Sequence, residues 1–374
     1  MKILLLGFAK LAYMPYINFY LEELACDENE IHILYWNRDD KSDIKLPYNV
    51  IFHEFKLYQE DEVKKYKKIP SFIKYRKYAN ELIKKDEFDL IIVLSTLPGV
   101  LLYNVLKKQY ANRYIFDYRD FTFENIKFYK NIVRNLIINS KVTFVSSNGF
   151  RKYLPKLDKI YTTHNILLDS IENRIKRNEL QQKHNPIRVG CWGFIKYESV
   201  NKKIIEQLAN DSRFEIHYYG RQQSVAYNLK EYCSKNNVKN VYFHGEYKPE
   251  ERYEFQKETD ILNNLYDINL ITSSAMSNKY YDGIVFYIPQ ICSLGSFMGA
   301  QVEKVNVGLN CDPYRENFAD ILYDYYKSIK WEEFEKNCDL ELERVLNEYN
   351  SAKRILKESI KYCDNSINLE NQII

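Results

Sequence analysis

The sequence has no C-x-x-C pair. Its seven cysteines, Cys26, Cys191, Cys233, Cys292, Cys311, Cys338 and Cys363, are scattered and odd in number. That excludes a disulfide framework and a cysteine metal cluster, and it fits a reducing cytosol. No run of about 18 apolar residues is present, so no membrane-spanning helix is expected. The apolar start at Lys2–Ala9 is short and is followed by Tyr13-Met14-Pro15-Tyr16; it reads as a buried strand, not a signal peptide. Net charge is only +3, which argues against a general nucleic-acid binder. No G-x-G-x-x-G follows the first apolar run. Gly7-Phe8-Ala9-Lys10-Leu11-Ala12 lacks the glycines that let a backbone approach a pyrophosphate, so the first half is disfavoured as a dinucleotide site. No D-x-D stands in a strand-end loop; Asp39-Asp40 lies on a polar turn.

What is present describes a globular chain. Hydrophobic residues make up 45% and charged residues 28% of 374, and that length predicts two domains of roughly 170–180 residues each. In the first half, apolar runs at 3–8, 31–36, 50–55, 88–94, 114–116 and 142–145 alternate with helical stretches, as in a parallel doubly wound sheet. Ligands then sit beyond the carboxyl ends of the strands. Residues 170–186 are polar and without period, and read as an interdomain connection. Strand and helix alternate again from Ile187, and two or three helices are expected after the run 305–310, to about Tyr362. The 34 tyrosines accompany many Lys, Asn and Ile, and are read as a compositional bias, not as stacking platforms.

The stretch 273–296, SSAMSNKYYDGIVFYIPQICSLGS, concentrates chemistry. Asn278, Lys279, Tyr280 and Asp282 crowd the start of a helix, followed by a strand begun by Pro289. A lysine and an unpaired helix N-terminus suit a diphosphate, and a carboxylate suits ribose hydroxyls. The plainer alternative is an ordinary helix start with a solvated lysine. Residues 64–78 form the densest basic stretch, with Tyr, Phe and Ile interleaved. Such a face suits an anionic membrane or a lipid diphosphate; the alternatives are a solvated basic helix and RNA binding, for which no RNA motif appears.

The 273–296 stretch resembles the N-K-[LFY]-[FY]-E-Y … G-x-P-[VI]-[IV] segment of bacterial GT-B glycosyltransferases of the capsular and exopolysaccharide type. Asn278 to Tyr281 match; Asp282 replaces Glu, Gly283 stands where Tyr is frequent, and Tyr287 where Gly is frequent. Four looser matches precede it in the second half, in the expected order. Gly193-Phe194-Ile195-Lys196 is similar to the opening of the donor domain. Gly220-Arg221 is similar to a strand end, and 240–245 to a segment that precedes the next helix, here expected near Pro249. Thr259-Asp260 is similar to the element before the nucleotide loop. In the first half, 117–124 is similar to a D-x-R-D-x-W-P-E loop, and His164-Asn165 to a hinge signal.

The resemblance implies a GT-B α/β fold, two Rossmann-like doubly wound parallel-sheet domains facing a cleft. It implies an acceptor domain at 1–170, a linker at 171–186, a nucleotide-sugar domain at 187–345, and a helix at 346–374 crossing back to the first domain. The implied activity is metal-independent transfer of a hexosyl-type sugar from a nucleotide sugar, with no other cofactor. The implied acceptor is a lipid-linked or free saccharide of capsule or surface polysaccharide synthesis. The implied place is the cytoplasm, peripheral at the inner face of the membrane through 64–78, with no nucleic acid involved. Asp120 and His164 are the candidate catalytic residues; Asp120 either takes a proton from an acceptor hydroxyl or orients it, and the plainer alternative is an ion pair of Arg119 with an aspartate that holds the loop. Gly193, Lys196, Gly220, Arg221, Asn278, Lys279, Tyr280 and Asp282 are the candidate donor-binding residues. Two rival readings are a sugar-nucleotide epimerase of the same fold and a non-catalytic scaffold of a polysaccharide assembly.

Overall fold

The apolar runs do become strands, and the two innermost are buried along their whole length or nearly so. In the computed structural model β1 (Lys2–Leu6) and β4 (Leu90–Leu94) carry KILLL and LIIVL, with only Lys2 reaching the surface. Continuous apolar strands of this kind need helices on both faces of a parallel sheet. The structure describes residues 1–26, 28–39, 41–60, 63–175, 185–248 and 251–370, with the backbone alone for residues 65 and 361–370.

The chain divides into two units, Met1–His164 with Asn347–Ile374, and Asn165–Leu346. Unit 1 holds β1, β2 (Glu30–Asn37), β3 (Ile51–Lys56), β4, β5 (Tyr114–Tyr118), β6 (Val142–Val145) and β7 (Ile160–Thr162) in the order 3-2-1-4-5-6-7. Unit 2 holds β8 (Ile187–Trp192), β9 (Phe214–Tyr219), β10 (Val241–Gly245), β11 (Ile261–Asn264), β12 (Gln290–Ser293) and β13 (Gly308–Cys311) in the order 10-9-8-11-12-13. Every pairing is parallel. Strand order reverses at β1/β4 and at β8/β11, the places where open sheets of this kind take ligands at their carboxyl edge.

Aromatic side chains fill much of both interiors. Tyr20, Tyr75, Tyr114, Tyr118, Tyr218, Tyr280 and Tyr281 are among the largest fully buried residues. In unit 1 Phe8, Trp36, Phe55 and Tyr75 meet edge-on at ring distances of 4.7–5.6 Å, a geometry that adds to simple area burial. The Tyr75 hydroxyl donates to Gly7 O at 2.6 Å.

Several sequence expectations shift. The stretch 98–109, which reads in sequence as one helix, forms two, Thr96–Leu101 and Tyr103–Gln109. The short strand β13 was read as the approach to helices; its GLNC carries one apolar residue of four beyond Gly and Cys, too little for a strand signal. Beyond it lie Phe318–Ser328 and one long helix, Trp331–Glu370. Pro249 and most of the polar stretch 170–186 fall outside the described residues. The earlier part of that stretch already packs in unit 2: Ser170 accepts from Arg252 at 2.6 Å, and Arg174 donates to Val285 O at 2.9 Å. Among the described residues no helix is long and apolar enough to cross a membrane.

Candidate functional site

The carboxyl edge of the unit 2 sheet is lined by glycines for a steric reason. Gly193, Gly220 and Gly245 end β8, β9 and β10, all at positive φ (+94°, +148° and +89°). Gly220 donates to Gly245 O at 2.7 Å, and Gly193 to Tyr219 O at 2.9 Å. A Cβ on Gly220 would lie 1.8 Å from Gly193 O, whereas one on Gly193 would meet nothing within 4 Å. Gly220 is thus required by its neighbour, and Gly193 borders open space.

Cations gather over that edge. Phe194, 43% exposed, has Lys196 Nζ 4.8 Å and the Arg221 guanidinium 5.8 Å from its ring centre. Arg221 also donates to the Gln223 side-chain oxygen. The sequence loops that hold Lys196 and Arg221 are therefore one place. Beyond β11, Tyr266 forms the floor: its ring lies 5.3 Å from Tyr197 and 5.2 Å from Lys279 Nζ. The Tyr266 hydroxyl bonds Asn264 Oδ1 (3.2 Å) and Ser277 Oγ (3.0 Å).

Lys279 and Asn278 open the helix Asn278–Val285, whose Ser277 cap accepts from Lys279 N. Lys279 is half-buried and makes no carboxylate ion pair among the described residues. A half-buried ammonium at a helix N-terminus, on the same sheet edge as the loops of Lys196 and Arg221, favours an anion electrostatically. Tyr280 and Asp282, by contrast, turn inward. Tyr280 is fully buried with its hydroxyl on Glu341. Asp282 accepts from Trp192 Nε1 at 2.9 Å and lies 3.8 Å from Arg252 Nη1. Burial pushes its carboxyl pKa up, against the pull of Arg252 and Trp192.

The departures from the resembled motif have structural causes. A Cβ at Gly283 would sit 2.1 Å from Gln290 Nε2. That amide donates to Tyr280 O (2.9 Å) while its oxygen accepts from Asn264 (2.8 Å), so a large residue at 283 has no room. Tyr287 keeps the left-handed backbone that a glycine would supply, at φ +51°. Its hydroxyl donates to Asp339 at 2.7 Å and Arg174 stacks 4.1 Å from its ring centre, which offsets the strain.

In unit 1 the segment 117–124 takes in the last two residues of β5 and the loop after it. Asp117 is fully buried and pairs with Arg119 Nε at 2.8 Å; the guanidinium also lies 4.2 Å from the Tyr16 ring centre. The ion pair that fixes this loop is therefore Arg119 with Asp117, and Asp120 is exposed at its tip. Glu124 accepts from Thr122 N at 2.5 Å, and burial pushes its carboxyl up. His164 is buried at φ +58° with Nε2 3.0 Å from Glu348, a residue that Asn148 also reaches at 3.3 Å. His164 thus fastens the last helix to unit 1.

Sequence spacing offers no metal ligand set. Folding brings one together among the described residues, His32, His53 and Asp86, at the edge of unit 1 where its strands begin. The signal was an acid-x-His on the second strand of each half, Glu30-Ile31-His32 and Glu215-Ile216-His217.

No family model and no curated protein matches the sequence. Solved structures do match over the full length. Sucrose-phosphate synthase from Thermosynechococcus elongatus is 13% identical, with a TM-score of 0.69 over 99% of this chain and 100% of that one. Anabaena HepE, solved with UDP and glucose, is 13% identical, with a TM-score of 0.65 over 95% and 99%. The lipopolysaccharide outer core galactosyltransferase WaaB is 15% identical, with a TM-score of 0.59 over 98% and 99%. Two parallel-sheet α/β domains in this likeness make the fold GT-B, with two Rossmann-like domains.

Proposed function

We propose that this chain is a GT-B glycosyltransferase that moves a hexosyl-type sugar from a nucleoside-diphosphate donor to a saccharide. The observation that carries the reading is the carboxyl edge of unit 2. There Lys279, without an ion pair among the described residues, shares the carboxyl edge with Lys196 and Arg221, where β8 ends at Gly193 with open space beside it. These cations and the amide at Asn278 neutralise the leaving diphosphate, so the step needs no bound metal. HepE, of the same fold, was solved with UDP-glucose, which supports a donor of that class. The bond between the anomeric carbon and the diphosphate oxygen breaks, and a bond from an acceptor hydroxyl forms. In an inverting reaction Asp120 takes the hydroxyl proton. Asp282, engaged by Trp192 and Arg252, holds the end of β8 in place and leaves the ribose to neighbouring groups. Tyr280 serves as core.

The acceptor is a lipid-linked saccharide of capsule or surface polysaccharide synthesis, met at the inner face of a membrane. The helix Ile69–Asp86 supports this. It buries Tyr75, Ala79, Leu82 and Ile83 and exposes Ile69, Ile73, Lys74, Arg76 and Lys77, an apolar and cationic outer face.

Calorimetry with UDP and other nucleoside diphosphates, followed by hydrolysis of the matching nucleotide sugar without acceptor, tests the reading. Binding with slow turnover is expected. Binding without any turnover favours the scaffold, a reading to which the occupied carboxylate of Asp282 lends weight. No binding of any nucleoside diphosphate refutes the donor site.

A further inference from the structure

Both sheets carry the same polar set near the edge where their strands begin. In unit 1, Lys2 on β1 donates its backbone N–H to Asp89 (2.7 Å) and extends its amine to Glu30 (3.3 Å) and Asp86 (3.5 Å). In unit 2, Arg188 on β8 donates its N–H to Asp260 (2.9 Å) and reaches Glu215 (3.6 Å) and Glu258 (3.1 Å). Two residues after the strand acid comes a histidine, His32 or His217, and a second comes from the third strand, His53 or His244. Nδ1 of the first faces Nε2 of the second at 2.7 Å in unit 1 and 3.0 Å in unit 2. The registers also agree: His32 pairs with Ile51 and His217 with Tyr242, each two residues before the partner histidine. Four of the chain's six histidines are spent on these two pairs.

The copies differ in what closes them. Around His32 and His53 the Asp86 carboxylate completes a group whose ligand atoms lie within 4.8 Å of one another; among the described residues none completes His217 and His244. His32 is buried and His53 half-buried, whereas His244 is exposed. The orienting contact also differs, since Glu30 is 2.6 Å from His32 Nε2 and Glu215 is 3.3 Å from His217 Nε2.

We propose that His32, His53 and Asp86 form a binding site for a transition-metal dication of the zinc class. Two imidazoles and a carboxylate are a donor set such ions accept. Glu30 takes the Nε2–H of His32 and so fixes the tautomer that points the Nδ1 lone pair inward, the support that a metal-binding histidine needs. Tetrahedral bonds of about 2.05 Å set two nitrogens roughly 3.3 Å apart, so the rings must part by about 0.6 Å. Lys2, partly exposed, must swing its amine from Asp86 to water. An open depression bordered by Lys2, Glu30, Asn49 and Ile51 adjoins the site. The ion would staple β2 and β3 to the end of the helix Ile69–Asp86, and it takes no part in sugar transfer.

Cobalt(II) titration of the full chain under a non-chelating reductant, read by calorimetry and visible spectrum, tests this. One tight equivalent is expected, with a tetrahedral spectrum and no thiolate charge-transfer band. Asp86→Asn, which leaves the histidine pair in place, and His53→Gln should each lose that equivalent. His244→Gln should keep it, and zinc should raise the melting temperature of wild type but not of Asp86→Asn. Circular dichroism checks that each variant is folded. No tight equivalent in wild type, a thiolate band, retention in folded Asp86→Asn, or loss in His244→Gln overturns the proposal.

Discussion

The first strand of each unit ends in a glycine, and the two ends could hardly differ more. After β1, Gly7 is closed over. Tyr75 bonds its carbonyl, and an added Cβ would meet Met14 at 2.7 Å and Leu34 O at 3.0 Å. Phe8 joins the aromatic cluster, and Lys10, the loop's cation, is buried against Asp39 at 2.7 Å. After β8, Gly193 faces open space, Phe194 is exposed, and Lys196 stands over it. One fold, used twice, has a stoppered loop in unit 1 and an open one in unit 2. The difference says where a diphosphate can approach backbone. It follows from side chains, since both strands run the same way in the same sheet order.

The largest way to break the contrast is to stopper unit 2. Gly220→Val adds atoms where even a Cβ is 1.8 Å from Gly193 O, in a backbone that side chains rarely adopt. Overpacking and backbone strain together should cost about 3 kcal/mol or more, read as a loss of stability in urea. Gly193→Ala, with room for the methyl, should cost only the strain, about 1–2 kcal/mol. Equal losses would show that the close approach at Gly220 does not matter.

The next largest effect separates the two cations. Lys279→Ala should weaken nucleoside-diphosphate binding by roughly 1.5–3 kcal/mol, about tenfold to more than a hundredfold. Lys10→Ala, which breaks an ion pair in the stoppered loop, should leave that affinity unchanged. Calorimetry on both decides whether openness or charge alone recruits the ligand.

A smaller test probes what holds the open edge from below. Tyr287→Phe removes the hydroxyl that meets Asp339 but keeps the ring under Arg174. A loss of about 1 kcal/mol in stability is expected; no change would mean the ring alone sustains the left-handed backbone.

How much of this was readable in the residues varies with the kind of signal. The strands LIIVL and KILLL, and the alternation around them, announce a doubly wound sheet because burial on both faces leaves a continuous apolar run. The glycines that end β8 and β9 and the helix start at Lys279 were legible as local geometry, because a positive φ and a helix N-terminus each demand particular residue types. Asp282 was not, since a carboxylate looks the same in sequence whether ribose or Trp192 meets it. Of the His32, His53 and Asp86 group only the acid-x-His at Glu30-Ile31-His32 shows in sequence, for a related reason: the group joins two strands and a helix end, and linear spacing does not record that meeting.

The smallest predicted effect concerns the exposed outer face of the helix Ile69–Asp86. Lys74→Gln removes a single exposed cation from the helix Ile69–Asp86. Partitioning onto anionic vesicles should fall about fivefold at low salt, equivalent to about 1 kcal/mol per charge, and less at high salt. A flotation assay with unchanged partitioning would mark the basic stretch as a solvated face.

Unit 1 is interrupted in sequence, because its last segment, Asn347–Ile374, is separated from its body by all of unit 2. A ribosome adding about 5–20 residues per second delivers that segment roughly 10–40 s after His164. For that interval Phe19 lacks Tyr349, and His164, Glu22 and Glu23 lack Glu348, Lys353 and Lys357. The nascent chain therefore carries an unfinished flank for most of the time unit 2 is being made. A holdase chaperone that meets this protein during synthesis should be captured there, at the surface around Phe19 and His164, and should leave when the last helix docks.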